Sequence, residues 1–216
     1  MSTRFPHRPD QDERNEDDES EDDESEDDEQ IDPALLRPLE SAADVGRSNY
    51  ARVQFDQHIS DALEEHARGR APSDSDQDFR NHLLGVASEV ATATWRRGEI
   101  DNRILQDYEG DDGIDVMAPN PRGDGTDFFQ VKATRDESNP ERIVSREELE
   151  VADYFVLCTT RAPSRYVEIV GYISKPLLWL IGETYQREGY LLTPENLFPV
   201  RPGLYDADDV RDVMYG

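Results

Sequence analysis

Phe128-Phe129-Gln130-Val131-Lys132-Ala133 reads as a strand whose apolar run is interrupted by a glutamine and a lysine two residues apart. Alternate strand residues share a face, so Gln130 and Lys132 look one way while Phe129 and Val131 look toward a core. Upstream, Gly113-Ile114-Asp115-Val116 predicts a second short strand, joined to the first through a turn-rich stretch that contains Gly123-Asp124-Gly125. Further back lies Glu89, within the helix-like run Leu83 to Trp95. Lysine is scarce here. Of 23 basic residues, 21 are arginine, so a lysine inside a hydrophobic strand stands out. Taken singly, each residue has an ordinary reading: a half-exposed sheet edge for Gln130 and Lys132, a solvent-facing strand residue for Asp115, a helix surface charge for Glu89. The joint order of helix, strand and strand is what carries information.

A helical glutamate, a strand aspartate and a Gln-x-Lys on the next strand resemble the PD-(D/E)xK nuclease family, with Gln130 standing where the family's second motif commonly has an acid. The resemblance extends to Val151–Leu157 followed by Tyr166–Ile173, and to Leu191–Val200, and so covers about residues 80–200. It implies an α/β fold with a restriction-endonuclease-like core, a mixed sheet of four or five strands flanked by helices. It implies a metal-dependent phosphodiesterase acting on DNA, with Mg²⁺ (or Mn²⁺) as cofactor. Hard divalent cations prefer oxygen ligands. Asp115, the Gln130 side-chain oxygen and the Val131 backbone carbonyl are the ligands implied, and Glu89 would act through a metal-bound water. Lys132 would orient the attacking water and offset phosphate charge. Many relatives act as dimers, so a homodimer is compatible with the resemblance.

Composition describes the setting. Fifty acidic against 23 basic residues give a net charge of −27. Residues 10–29 alone hold 15 acids, 12 of them in Glu16-Asp17-Asp18-Glu19-Ser20 and its repeats Glu21 to Ser25 and Glu26 to Gln30. Outside residues 1–29, 35 acids still face 20 basic residues, about −15. An acidic body that prefers Arg to Lys reads as the protein of an extreme halophile, an archaeon or its virus. Such charge bears on solubility and association, not on fold. Residues 1–45 are expected to form a disordered acidic tail, having too few apolar groups to offset the entropy of ordering, and residues 46–216 a nuclease-like domain.

The periodic segments predict a helix over Asn49–Arg68, a second from Asp76 to Arg97 with Ser75 or Asp76 as N-cap, and an element over Ile100–Tyr108. A short helix over Ser145–Ala152 opens with a capping box, Ser145-Arg146-Glu147-Glu148. Strands follow over Ala152–Thr159 and Val167–Ile173, then a helix near Lys175–Gln186. Trp95, Trp179 and Cys158 read as core. One cysteine makes no intramolecular disulfide, and four scattered histidines make no zinc pattern. With no apolar leader and no long apolar stretch, a cytoplasmic location is expected, with no membrane association. Arg122, Arg135, Arg161 and Arg165, in loops or at element ends, are candidate phosphate contacts because arginine grips a phosphate with two donors. Three functions compete: a nuclease cutting DNA in repair, recombination, restriction or viral genome processing; a catalytically silent nuclease-fold module for binding or assembly; and an acidic interaction protein whose tail is the working part.

Overall fold

The 21-residue helix Asp76–Arg96 organises the sheet, and its limits are set locally. The Ser75 hydroxyl accepts the Asp78 N–H, and Asp76 and Asp78 place negative charge at the helix's positive end. Arg97 ends it in the left-handed conformation, with Gly98 N–H returning to the Ala93 carbonyl at 2.9 Å. Gly98 must be glycine, because a Cβ there would collide with the Met117 carbonyl and Ala118 of the adjoining strand. The apolar stripe Val86, Ala87, Val90, Ala91 and Ala93 is buried.

The computed structural model of the chain describes residues 40–70, 75–100, 114–123, 125–185 and 189–206. In chain order the elements are α1 (Ala42–Val45), β1 (Ala51–Gln54), α2 (Gln57–Arg70), α3 (Asp76–Arg96), β2 (Glu99–Ile100), β3 (Val116–Pro119), β4 (Thr126–Thr134), β5 (Arg142–Ser145), α4 (Arg146–Val151), β6 (Tyr154–Thr159), β7 (Tyr166–Ser174), α5 (Lys175–Ile181), β8 (Glu183–Tyr185), β9 (Gly189–Leu192) and β10 (Leu204–Asp206). The main sheet is mixed and has seven strands in the order β10-β1-β7-β6-β4-β3-β2. The β4–β6 and β1–β10 pairs are parallel, and the other pairs are antiparallel. A second sheet has the order β5-β9-β8.

Helices cover both faces of the main sheet. Helices α2 and α3 pack on the face built from Ala51, Val53, Val116, Phe129, Val156, Cys158 and Ile169. The opposite face, with Phe155, Leu157, Val170 and Ile173, is covered by Leu178 and Ile181 of α5, with Val144 and Leu192 of the small sheet. A register shift at Leu157/Cys158 leaves Val170 as the extra residue of β7, so Ile169 and Tyr172, three apart in sequence, both face the α3 core. Gly171 admits the crossing segment Leu197–Phe198, since a Cβ would stand 2.6 Å from the Phe198 carbonyl oxygen.

The structure corrects several expectations. The sheet has seven strands rather than four or five, because β1, β2 and β10 are two to four residues long, too short to show a period. The helix expected over Asn49–Arg68 is strand β1 and then α2. Ala51 and Val53 are fully buried on one face, and Asp56 restarts the chain as a helix by accepting the Ile59 N–H at 2.8 Å. Trp179 is 71% exposed and is not core, whereas Trp95 packs against the α3 core and Cys158 is fully buried. The folded region also begins ahead of residue 46: Ser41 and Asp44 form a capping box, and Ala42 N–H bonds the Leu197 carbonyl at 2.9 Å. The acidic tail through residue 39, the element expected after Ile100, and Gly113 and Asp124 lie outside the described residues. Among the described residues no helix is long and apolar enough to cross a membrane.

Candidate active site

Strand β3 pairs with β4 only from Thr126 to Phe129, and Asp115 stands where the two part. Its N–H bonds the Phe129 carbonyl at 2.9 Å. Its Oδ2 accepts the Val131 N–H at 2.6 Å, taking the place that a continuing strand would fill. Two residues on, Arg142 of β5 donates to the Ala133 carbonyl on that same edge. A strand residue turns its N–H and C=O to the same edge, so the Val131 carbonyl lies between these two anchors.

Side chains follow the alternation read from the sequence. Phe129, Val131 and Ala133 pack on the α3 side. Gln130 and Lys132 look the other way, in register with Phe155 and Leu157 of β6. The Asp115 N–H bond to the Phe129 carbonyl departs from the Val116–Phe129 register, so the ladder ends at Asp115, whose carboxylate reaches the Val131 N–H along the strand edge. Asp115 and Gln130 are both buried, at 4% and 3% exposure. The Gln130 Oε1 is buried with no hydrogen-bond partner among the described residues. A buried acceptor left unpaired costs about 1–3 kcal/mol, so such an oxygen calls for a cation or a donor. A buried amide oxygen, a carboxylate and a backbone carbonyl form a donor set that fits a hard divalent cation.

Lys132 is held by Glu148 of α4 in a close ion pair. Glu148 has two tasks, because its Oε2 also accepts the Ser145 N–H at 2.8 Å to close the α4 capping box. The sequence discloses the cap but not the pair, since the pairing depends on the β4–β5–α4 path bringing α4 over the Lys132 face.

Glu89 is half-buried on α3, its carboxylate lying back over Gly85, where a Cβ would be 3.8 Å from Oε1. Arg80 meets Arg135 beyond the end of β4, while Arg96 meets Asp127 near its start, so α3 and β4 run antiparallel. Two helical turns, about 11 Å, separate Glu89 from Arg96, which corresponds to about three strand residues. Glu89 therefore stands level with Gln130, on the α3 side of the sheet. The structure puts Gln130 and Lys132 on one face of β4 and the Asp115 carboxylate at the strand edge on the Val131 N–H, and Glu89 lies on α3, on the other side of the sheet. Among the described residues no three His, Cys, Asp or Glu side chains converge as a metal-binding group.

The four candidate arginines do not form one patch. Arg122 lies in the β3–β4 turn and Arg135 beyond the far end of β4, a strand about 30 Å long. Arg135 donates to the Arg80 carbonyl, and burial followed by the neighbouring Arg80 charge lowers its pKa. Arg161 bonds buried Glu137 at 2.9 Å. Glu137 also takes Arg47 at 2.7 Å and the Tyr166 hydroxyl at 3.2 Å, and buried Glu168 takes Arg47 and Arg52. This network ties the loop after β4 to the start of β1, so Arg161 has a structural task. Arg122 and Arg165 are exposed. No family model, curated protein or solved structure matches this chain.

Proposed function

We propose that the protein is a metal-dependent nuclease of the PD-(D/E)xK type, cutting DNA phosphodiester bonds. The observation that carries this reading is the buried Gln130 Oε1, without a partner among the described residues, on the face that bears Lys132, with buried Asp115 bonded to Val131 between them. The order α3–β3–β4, with a mixed sheet covered on both faces, supports a restriction-endonuclease-like core. Asp115, Gln130 and the Val131 carbonyl would hold Mg²⁺ or Mn²⁺. When bound, such a cation lowers the pKa of water and offsets phosphate charge.

The chain's own residues do the remaining work. Asp115, fixed through both its N–H and its carboxylate, holds the β3–β4 fork open at Val131. Lys132 supplies a positive charge on that face for the phosphate and a donor for the attacking water, once it exchanges Glu148 for the substrate. Glu148, as the resting partner, keeps Lys132 ordered without substrate.

The Lys132–Glu148 pair also favours a second reading. A lysine locked to a helix acid suits a silent module that retains the fold for binding or assembly. Calorimetric titration with Mg²⁺ and Mn²⁺, together with cleavage of linear, nicked, single-stranded and branched DNA at molar KCl, separates the two. The nuclease binds metal and cuts at least one substrate; the silent module binds DNA without metal-dependent products.

A further inference from the structure

On the other face of the sheet, at the start of β4, lies a cavity of about 220 Å³ lined by Arg96, Asn120, Arg122, Phe129, Tyr154 and Tyr172. It is smaller than the ~300–1,000 Å³ of pockets that enclose drug-sized ligands, so a ligand of that size would be held in part, with the rest in solvent. Among the described residues no carboxylate lines it, in a chain with 50 acids and a net charge of −27.

Its walls are ordered in advance. The Phe129 and Tyr154 rings stack at 5.1 Å and 19°, and Tyr172 stands tilted to Tyr154 at 6.4 Å and 54°. Together they make an angled aromatic surface. The Arg96 guanidinium lies over Phe129 at 5.0 Å and over Trp95 at 5.3 Å. Its bond to Asp127 is long, 3.6 Å, and its Nε is buried without a hydrogen-bond partner. Asn120 fixes the turn that carries the second arginine: its Nδ2 donates to Asp127 at 2.9 Å, and its Oδ1 accepts the Arg122 N–H at 2.8 Å. Two guanidinium groups thus meet an aromatic wall, one of them with an unused buried donor. Stacking on aromatic rings recognises a base without regard to its identity, and guanidinium forks recognise phosphate oxygens.

We infer that this cavity binds one nucleotide unit, its base against Tyr154 and Tyr172 and its phosphate on Arg96 and Arg122. The cavity lies across the sheet from Gln130 and Lys132, so the inference does not depend on the metal site.

Trp95 is a natural reporter, since its ring is 5.4 Å from that of Tyr172. The full chain carrying Trp179→Phe, which removes the exposed tryptophan, is titrated in EDTA at fixed KCl with dAMP, deoxyadenosine and inorganic phosphate. Saturable binding of dAMP is expected, with deoxyadenosine and phosphate each weaker by on the order of tenfold. Arg122 is exposed, so Arg122→Ala should fold; it should weaken dAMP by on the order of tenfold, with partial recovery in Arg122→Lys. Absence of saturable dAMP binding up to about 10 mM, phosphate binding as tightly as dAMP, or an unchanged affinity in Arg122→Ala would each overturn the assignment.

Discussion

The Asp115 carboxylate substitutes for a strand: it accepts the Val131 N–H at 2.6 Å at the point where β3 leaves β4. One side chain thereby finishes the sheet edge and marks the proposed metal position. Asp115→Ala removes the acceptor and leaves a strand N–H without its partner, a loss of about 1–3 kcal/mol. Asp115→Asn keeps an acceptor oxygen and should recover most of that stability while still failing to cleave. Denaturant melts read alongside cleavage assays would separate the two tasks. Equal stability in the two variants would show that the hydrogen bond contributes little.

Gln130 is predicted to sacrifice stability for metal binding. Its unpaired Oε1 costs about 1–3 kcal/mol, so Gln130→Met should melt higher in EDTA and lose any stabilisation by Mg²⁺. Gln130→Glu places a second buried carboxylate beside Asp115, and burial and like charge both raise the pKa of such a group. A carboxyl whose folded pKa is raised loses stability as pH climbs from its unfolded value through its folded one. That variant should therefore weaken above about pH 4.3 in EDTA and regain stability with Mg²⁺ or Mn²⁺. Melting curves that Mg²⁺ leaves unmoved in both the parent and Gln130→Glu would exclude Gln130 as a ligand.

Sequence and structure agree where a segment carries its own period or cap. The alternation of Phe129, Gln130, Val131 and Lys132 disclosed which residues face which way, and Ser75 and Ser145 disclosed two helix starts. What stayed hidden depends on distant partners. Strand β1 is four residues long and exists through pairing with β7 and β10, so its Tyr50–Val53 stretch looked like the first turn of α2. The Trp179 ring looked like core because nothing local distinguishes the buried side of a seven-residue helix from its exposed one. Glu148 read only as a cap, because its pairing with Lys132 is set by the crossover from β4 to β6. The buried acids Glu137 and Glu168 carry no local signal, since their arginines come from residues 47, 52 and 161.

Glu148 is predicted to compete with substrate for Lys132. Glu148→Gln retains an oxygen for the Ser145 N–H, so α4 should stay capped and stability should fall by no more than about 1 kcal/mol. With its resting partner neutral, Lys132 meets the phosphate without exchanging an ion pair. The variant should show a lower KM, with kcat within a few-fold of the parent. A kcat loss as large as that of Lys132→Ala would instead make Glu148 part of the chemistry.

Cys158 should be chemically silent in the folded protein. Burial pushes its thiol up to about 12, although Thr92 and Ser88 act in the opposite direction. At pH 8 the thiolate is negligible, and labelling by a thiol reagent should follow global unfolding. The unfolded thiol ionises near its ordinary value of 9.0. Stability should therefore decline between that value and about 12, by at most about 1.4 kcal/mol per pH unit from this group. Rapid labelling under native conditions would show that the α3–β6 contact opens on its own.

Single-turnover DNA cleavage by the parent, Asp115→Ala and Lys132→Ala, with Mg²⁺ or Mn²⁺ at molar KCl, addresses the central claim most directly. The account predicts metal-dependent products from the parent and a loss of at least about a hundredfold in each variant, with circular dichroism unchanged. Cleavage within a few-fold of the parent in either variant would contradict it.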